Sequence, residues 1–297
     1  MSAGSSSRRR VMQVTASSLV GLAASCVAGA AWGSSPALRT VVFVMLRGGA
    51  DGLSLVVPYT EAAYYAARRR TAIAPPGAGA QRALDLDGRF GLHPQLAPLL
   101  PLFRAGELSI TLATGLREAP GLHGSAQLAV EAAIDAAWGA PVERVDSRSF
   151  GTLRAQLAAT ARRLEQRPGS AFLVEVGGWD THAAQGTASE GRLAERLGEL
   201  GRELALFRRA LGTGLERVTV VVLTEFGRTL PESPLAGTGD GGASLTLQLG
   251  DVPGGGRVLG RWPGLSDDAL VAGRHLAVTT DLVTVLGDVA ARARGNR

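Results

Sequence analysis

Three short apolar runs, each closed by a glycine-containing polar loop, constrain this chain more than any other feature. Thr40 to Leu46 (TVVFVML) ends at Arg47-Gly48-Gly49-Ala50-Asp51-Gly52. Ala171 to Val176 (AFLVEV) ends at Gly177-Gly178-Trp179-Asp180-Thr181-His182. Residues 217–223 (RVTVVVL) end at Thr224-Glu225-Phe226-Gly227-Arg228-Thr229. Runs this apolar, rich in β-branched residues and without alternation, are strands buried on both faces, which is the pattern of a mostly parallel sheet. Helical patterns lie around them. Over residues 188–211, Leu193, Leu197, Leu200, Leu204, Phe207 and Leu211 recur at steps of three and four, with Arg and Glu on the other faces. Residues 150–166 place Phe150, Leu153, Leu157, Ala161 and Leu164 on one face. Further strands are expected over 108–113 and 244–249. Further helices are expected over 94–104, opened by Pro94, and over 281–292, capped by Thr279 or Thr280. The fold class is therefore α/β: one domain over residues 38–297, its mostly parallel sheet covered by helices on both faces.

In such folds ligands bind at the carboxyl ends of the strands. The three loops then face one rim and offer Asp51, Asp180, His182 and Glu225. Mixed carboxylate and imidazole donors suit zinc, manganese or iron(II) better than calcium. Two such metals activate a nucleophile and stabilise a leaving oxygen in phosphoryl or sulfuryl transfer. Arg47 or Arg228 would hold the anionic group of a small ester substrate by a bidentate contact. Each residue also has a plain structural role open to it. Asp51 forms turns, Asp180 and His182 cap one, and Glu225 and Arg228 pair with each other. His93 and His275 read as structural or packing histidines. The one internal basic run, Arg68-Arg69-Arg70, reads as a solvated helix end.

The N-terminus has the three parts of an export signal over residues 1–33: a charged head at Arg8-Arg9-Arg10, a short Ala-rich apolar middle, and a small-residue exit at Ala28-Gly29-Ala30. Arg8-Arg9 followed by Val11-Met12 resembles a twin-arginine signal, which implies the twin-arginine translocase as an export partner and a periplasmic or secreted location. The alternative is retention as a membrane anchor. The single cysteine, Cys26, lies in this segment, so a cleaved chain has neither disulfide nor thiolate chemistry. The formal charge is +5, much of it at Arg8, Arg9 and Arg10 and at Arg292, Arg294 and Arg297 near the other end, and it does not indicate nucleic acid. No lysine occurs, so no P-loop is present, and the dinucleotide and serine-hydrolase motifs are absent as well.

Read together, Leu46 to Leu53, Leu84-Asp85-Leu86-Asp87-Gly88, Phe90-Gly91-Leu92-His93-Pro94, Val176 to His182 and Thr224 to Thr229 resemble the domain of unknown function family 1501. So do Gly255-Gly256-Arg257-Val258, Trp262-Pro263-Gly264-Leu265 and Val278-Thr279-Thr280-Asp281. The resemblance implies a fold similar to the alkaline phosphatase and sulfatase superfamily. It also implies metal-ligand roles for Asp51, Asp180 and His182, with Glu225 beside them. The chain departs from the family pattern in three places. Gly237-Thr238-Gly239-Asp240-Gly241 stands where the family has Gly-Thr-Asp-His-Gly, so the histidine is missing and Asp240 is displaced. Leu122-His123-Gly124-Ser125 keeps the histidine of a Ser-His-Phe-Asp stretch without its aspartate. The segment between Trp138 and Ser147 is short. Two functions follow as expectations. The first is a metal-dependent phosphate or sulfate ester hydrolase, with Asp51, Asp180, His182, Glu225 and Asp240 at a divalent metal, Arg228 on substrate and Ser125, at a helix start, as the candidate nucleophile. The second is a catalytically inactive member serving as a binding or assembly protein of the cell envelope.

Overall fold

A computed structural model describes residues 39–117, 123–145 and 152–295. The export segment, Cys26 and Phe150 lie outside the described residues. In chain order the main elements are β1 (Thr40–Leu46), α1 (Ala62–Ala67), β2 (Leu108–Gly115), α2 (His123–Trp138), α3 (Leu153–Gln166), β3 (Ala171–Val176) and α4 (Arg192–Leu211). They continue as β4 (Val218–Thr224), β5 (Gly227–Glu232), β6 (Thr238–Gly241), β7 (Ser244–Leu249) and α5 (Leu282–Ala293). The central sheet has eight strands, in the order Val258–Leu259, β2, β7, β4, β1, β3, Glu143–Arg144, with Thr280–Asp281 also paired to β2. Every pairing is parallel except the two made by β7, which runs against β4 on one side and β2 on the other. The sheet is therefore mixed and mostly parallel.

Alternation along β1 divides the core. Val42, Val44 and Leu46 join Phe172, Val174, Val220 and Val222 on one face, packed by Leu157 of α3 and by Leu193, Leu197, Leu200 and Leu204 of α4. Val41, Phe43 and Met45 join Leu173, Val221 and Leu223 on the other, packed by Val130 and Ile134 of α2 and by Leu286 and Val289 of α5. Both faces are covered by helices, which is why these strands carry no polar face. Among the described residues no helix is long and apolar enough to cross a membrane.

Register places the rim. Leu46 stands opposite Val176 on one side and Thr224 on the other, so β1, β3 and β4 end at one level and their loops leave together.

Several boundaries differ from the sequence reading. Residues 94–104 form a 3-10 helix, Pro94–Leu99, followed by a short α-helix, Leu100–Arg104. Pro98 and Pro101 supply no N–H donor, which breaks a continuous α-helix. Helix α4 begins at Arg192 rather than at 188, because Gly191 has φ +96° and lies against Gly186, where a Cβ would come within 2.5 Å of its Cα. Helix α3 opens at Thr152, whose Oγ1 accepts from Ala155 N at 3.3 Å. Helix α5 is capped by Asp281, which accepts from Val283 N at 3.0 Å, and not by Thr279, whose hydroxyl donates to the Arg261 carbonyl at 2.5 Å. Residues 227–229, read as loop, open β5, which pairs antiparallel with β6 through a register shift between Thr238 and Asp240. A strand with Gly227 at its start and Pro231 inside it carries no apolar periodicity to announce it.

Candidate functional site

The loop after β1 is gripped from β4 and β5. Thr224 donates its hydroxyl to Leu46 O (2.9 Å) and accepts from Ala50 N (2.8 Å). Glu225, buried, accepts from Gly48 N at 2.6 Å. Arg228 donates through Nε to Gly49 O (2.7 Å) and through Nη2 to Gly48 O. The glycines are required. Gly48 and Gly49 have φ of +111° and +75°, and a Cβ on Gly49 would come within 2.1 Å of the Phe226 ring.

Above this loop the structure gathers Asp180, His182 and Asp240 around Arg228. His182 Nδ1 bonds Asp180 Oδ1, and Nε2 lies 3.3 Å from Asp240 Oδ1. Arg228 reaches Asp180 Oδ1 through Nη2 at 3.1 Å and Asp240 Oδ1 through Nη1 at 3.3 Å; Nη1 also lies 3.1 Å from His182 Nδ1, a nitrogen that donates to Asp180 and so does not accept from the guanidinium. The Arg228 side chain is fully buried, whereas those of Asp180, His182 and Asp240 are 53%, 45% and 42% exposed. Arg228 also donates to Thr238 O at 3.1 Å and lies 5.6 Å from the centre of the Phe226 ring. Burial acts to raise the Asp180 pKa, but hydrogen bonds and charge from His182 and the Arg228 contact outweigh it and hold the carboxyl at about 2. Arg192 fixes the same loop by donating to Asp180 O at 3.1 Å.

Asp51 is elsewhere employed. It is fully buried and meets the equally buried Arg68 in a two-pronged ion pair, Nη1 to Oδ2 at 2.5 Å and Nη2 to Oδ1 at 2.9 Å. Ser54 Oγ (2.6 Å) and Gln185 Nε2 (2.8 Å) donate to the same Oδ2. Arg68 spends its other donors on Leu230 O and Thr229 O in β5 and stacks near Tyr64 of α1 at 5.5 Å. Burial works to raise the Asp51 pKa; the Arg68 charge and these hydrogen bonds more than cancel it, so the carboxyl titrates below its usual range. The reading of Arg68 as a solvated helix end is corrected: its place at the C-cap of α1 turns it inward, and Arg70 alone of the run makes a surface pair, to Glu232 at 3.0 Å. No local signal in Arg68-Arg69-Arg70 tells the buried arginine from its neighbours, and Gln185 likewise carried none.

The remaining sequence candidates fall around this centre. Ser125 lies in the first turn of α2, and Gln127 two residues on accepts from Arg47 Nη2 at 2.6 Å, which puts that end of α2 beside the rim. Arg47 faces Glu175 (3.5 Å) and Glu225 (4.0 Å). His275 packs at the hairpin beside β6, accepting from Gly242 N at 3.1 Å. His93 caps the 3-10 helix: its Nδ1 accepts from Gln95 N at 3.1 Å, so the neutral ring carries its proton on Nε2, which is buried without a partner. Burial pushes this pKa down to about 4, with Asp51 opposing slightly. The unfolded imidazole protonates near 6.5 and the folded one only near 4. The unfolded state thus binds the extra proton in between, and stability, full above the upper value, falls by roughly 3 kcal/mol as pH drops to the lower. Urea titrations across that window should show this slope, flattened in His93→Gln; equal slopes would refute it.

A zinc or manganese ion binds its donors at about 2.0–2.2 Å. The donors here stand 3.1 to 3.3 Å from guanidinium nitrogens, spaced for an organic cation. Asp51 is turned to Arg68. Among the described residues, no group of three or more His, Cys, Asp or Glu is placed to hold a metal ion. The arrangement therefore fits a buried-cation clasp that ties the loops after β1 and β3 to the β5–β6 hairpin. In comparisons with known proteins, the model of the family described as protein of unknown function (DUF1501) matches residues 113–295. No curated protein matches.

Proposed function

We propose, for a chain that belongs to the DUF1501 family of proteins of unknown function, a binding or assembly role without ester hydrolysis, on an exported scaffold of the alkaline phosphatase and sulfatase type. The export reading rests on Arg8-Arg9 and the apolar run after them, and the scaffold reading on the mostly parallel sheet with polar loops at one rim. One observation supports this reading: two fully buried arginines, Arg68 and Arg228, close on the carboxylates of Asp51, Asp180 and Asp240. Metal-assisted hydrolysis needs those carboxylates to face a metal and a water. Here their charge is met by guanidinium. Ser125, in the first turn of α2, is not among the side chains of the clasp.

The test is a panel of aryl phosphates and aryl sulfates on the purified protein, with zinc, manganese or iron(II) supplied. The expected result is no turnover above background and no difference between the parent protein and Asp180→Ala. Metal-dependent turnover that disappears in Asp180→Ala would restore the hydrolase reading, with Asp180, His182, Glu225 and Asp240 as ligands.

A further inference from the structure

We infer that the end of the sheet opposite the rim is a docking face for an anionic phospholipid bilayer. Strands β1, β3 and β4 start at one level, with Thr40 opposite Val218 and Val41 opposite Ala171. Strand β7 ends and β2 begins there, Leu249 standing opposite Leu108. Helices α3 and α4 run back to this level, since each leads into the next parallel strand, and Ala293 O at the end of α5 accepts from Arg39 N at 2.8 Å. On this floor Arg104, Arg167, Arg209, Arg257 and Arg294 are exposed. Hydrogen bonds tie it into one surface: Gly256 N donates to Leu108 O, Gly250 N to Glu107 O, and the Arg39 guanidinium to Asp251. Most of its carboxylates are already neutralised. Arg208 holds Glu107 through two nitrogens, Arg39 holds Asp251, and Arg163 and Arg167 hold Glu143. Glu165 and Glu216 remain exposed. Among the described residues, Arg104, Arg209 and Arg257 have no ion-pair partner. The helix dipole accounts for Arg104 and Arg209, each in the last turn of a helix, but Arg257 follows a glycine turn and serves no helix.

Two observations identify the occupant. The first is sign, because anionic headgroups attract arginines held near a bilayer surface. The second is where the chain enters the fold. The apolar run of residues 14–31 lies just upstream of Arg39, so the chain passes from that run into the floor and not into the rim. Strand β1, with seven residues, separates floor from rim by about 23 Å. A docked floor therefore leaves the polar loops facing outward. This gives the binding role proposed above an orientation, and it stands whether or not the rim turns over an ester.

The experiment measures partition of the full chain onto phosphatidylcholine vesicles with and without phosphatidylglycerol, at low and high salt. The parent is compared with the floor triple variant Arg104→Gln, Arg209→Gln, Arg257→Gln, with its lysine counterpart, and with a distal triple variant, Arg69→Gln, Arg117→Gln, Arg154→Gln. All keep residues 1–33, so any contribution of that segment is common to them, and circular dichroism checks the fold. The parent should prefer the anionic vesicles, and high salt should weaken that preference. The floor triple should lower it about 100-fold, while the lysine counterpart and the distal triple should retain it. No preference in the parent, or equal losses in the floor and distal triples, would overturn the inference. So would tighter binding of a mixed-sequence DNA duplex than of the anionic vesicles through the same three arginines, which would make the face one for nucleic acid.

Discussion

Arg68→Met is expected to destabilise the protein by about 3–5 kcal/mol, the cost of leaving a buried carboxylate without its counter-charge. Asp51 is fully buried, and Arg68 supplies two of the four hydrogen bonds its carboxylate accepts in this network. The same change removes the donors to Thr229 O and Leu230 O, so β5 loses one of its ties to the loop after β1 and keeps the one through Arg228. Asp51→Asn alone leaves the opposite problem, a guanidinium with no anion. The double change, Asp51→Asn with Arg68→Met, should recover a large part of the loss, because pairs replaced together escape the penalty of a lone buried charge. A double-mutant cycle by urea denaturation measures this. Additive losses would mean that the two side chains do not act as a unit. The cycle also bears on function, since a carboxylate whose folding role dominates is unavailable as a metal ligand.

Gly49→Ala is expected to cost about 4 kcal/mol, as left-handed backbone strain and overpacking act together. Its φ of +75° disfavours any side chain, and the new methyl would stand within 2.1 Å of the Phe226 ring, which is itself buried. The ring cannot simply withdraw, because Arg228 lies against it and is tied to Gly48 and Gly49. Thermal unfolding of Gly49→Ala beside Gly49→Ala with Phe226→Leu separates the two causes. The smaller side chain should restore the packing part and leave the backbone part. A Gly49→Ala protein as stable as its parent would show that the loop does not need the tight approach drawn here.

The strands were legible because burial on both faces leaves runs as apolar as Thr40–Leu46, Ala171–Val176 and Val218–Thr224. The shared rim was legible from the polar loops that follow such strands, and the register of Leu46 with Val176 and Thr224 realises it. Which side chains meet there was not. Asp51 and Asp180 both follow a strand by a few residues, yet one is turned inward to Arg68 and the other outward to His182. That choice depends on partners 17 residues away for Asp51 and 48 away for the Asp180–Arg228 contact, and no local pattern encodes them. Proline placement explains the broken helix after His93, and it was visible in Pro94, Pro98 and Pro101. The β5–β6 hairpin escaped because glycine, proline and threonine carry the pairing through backbone contacts alone.

The reversed strand β7 has a consequence for the order in which the molecule assembles. Strand β2 is made early in the chain, but its bridge to β4 and the remainder of the sheet is β7, completed only at Leu249. Until that residue leaves the ribosome, β2 lacks its partner on that side, and the short strands on its far side, Val258–Leu259 and Thr280–Asp281, come later still. Closure of this half of the sheet thus waits on residues far later in the chain than β2 itself. A nascent chain halted before Leu249 would expose an aggregation-prone edge that a holding chaperone must cover.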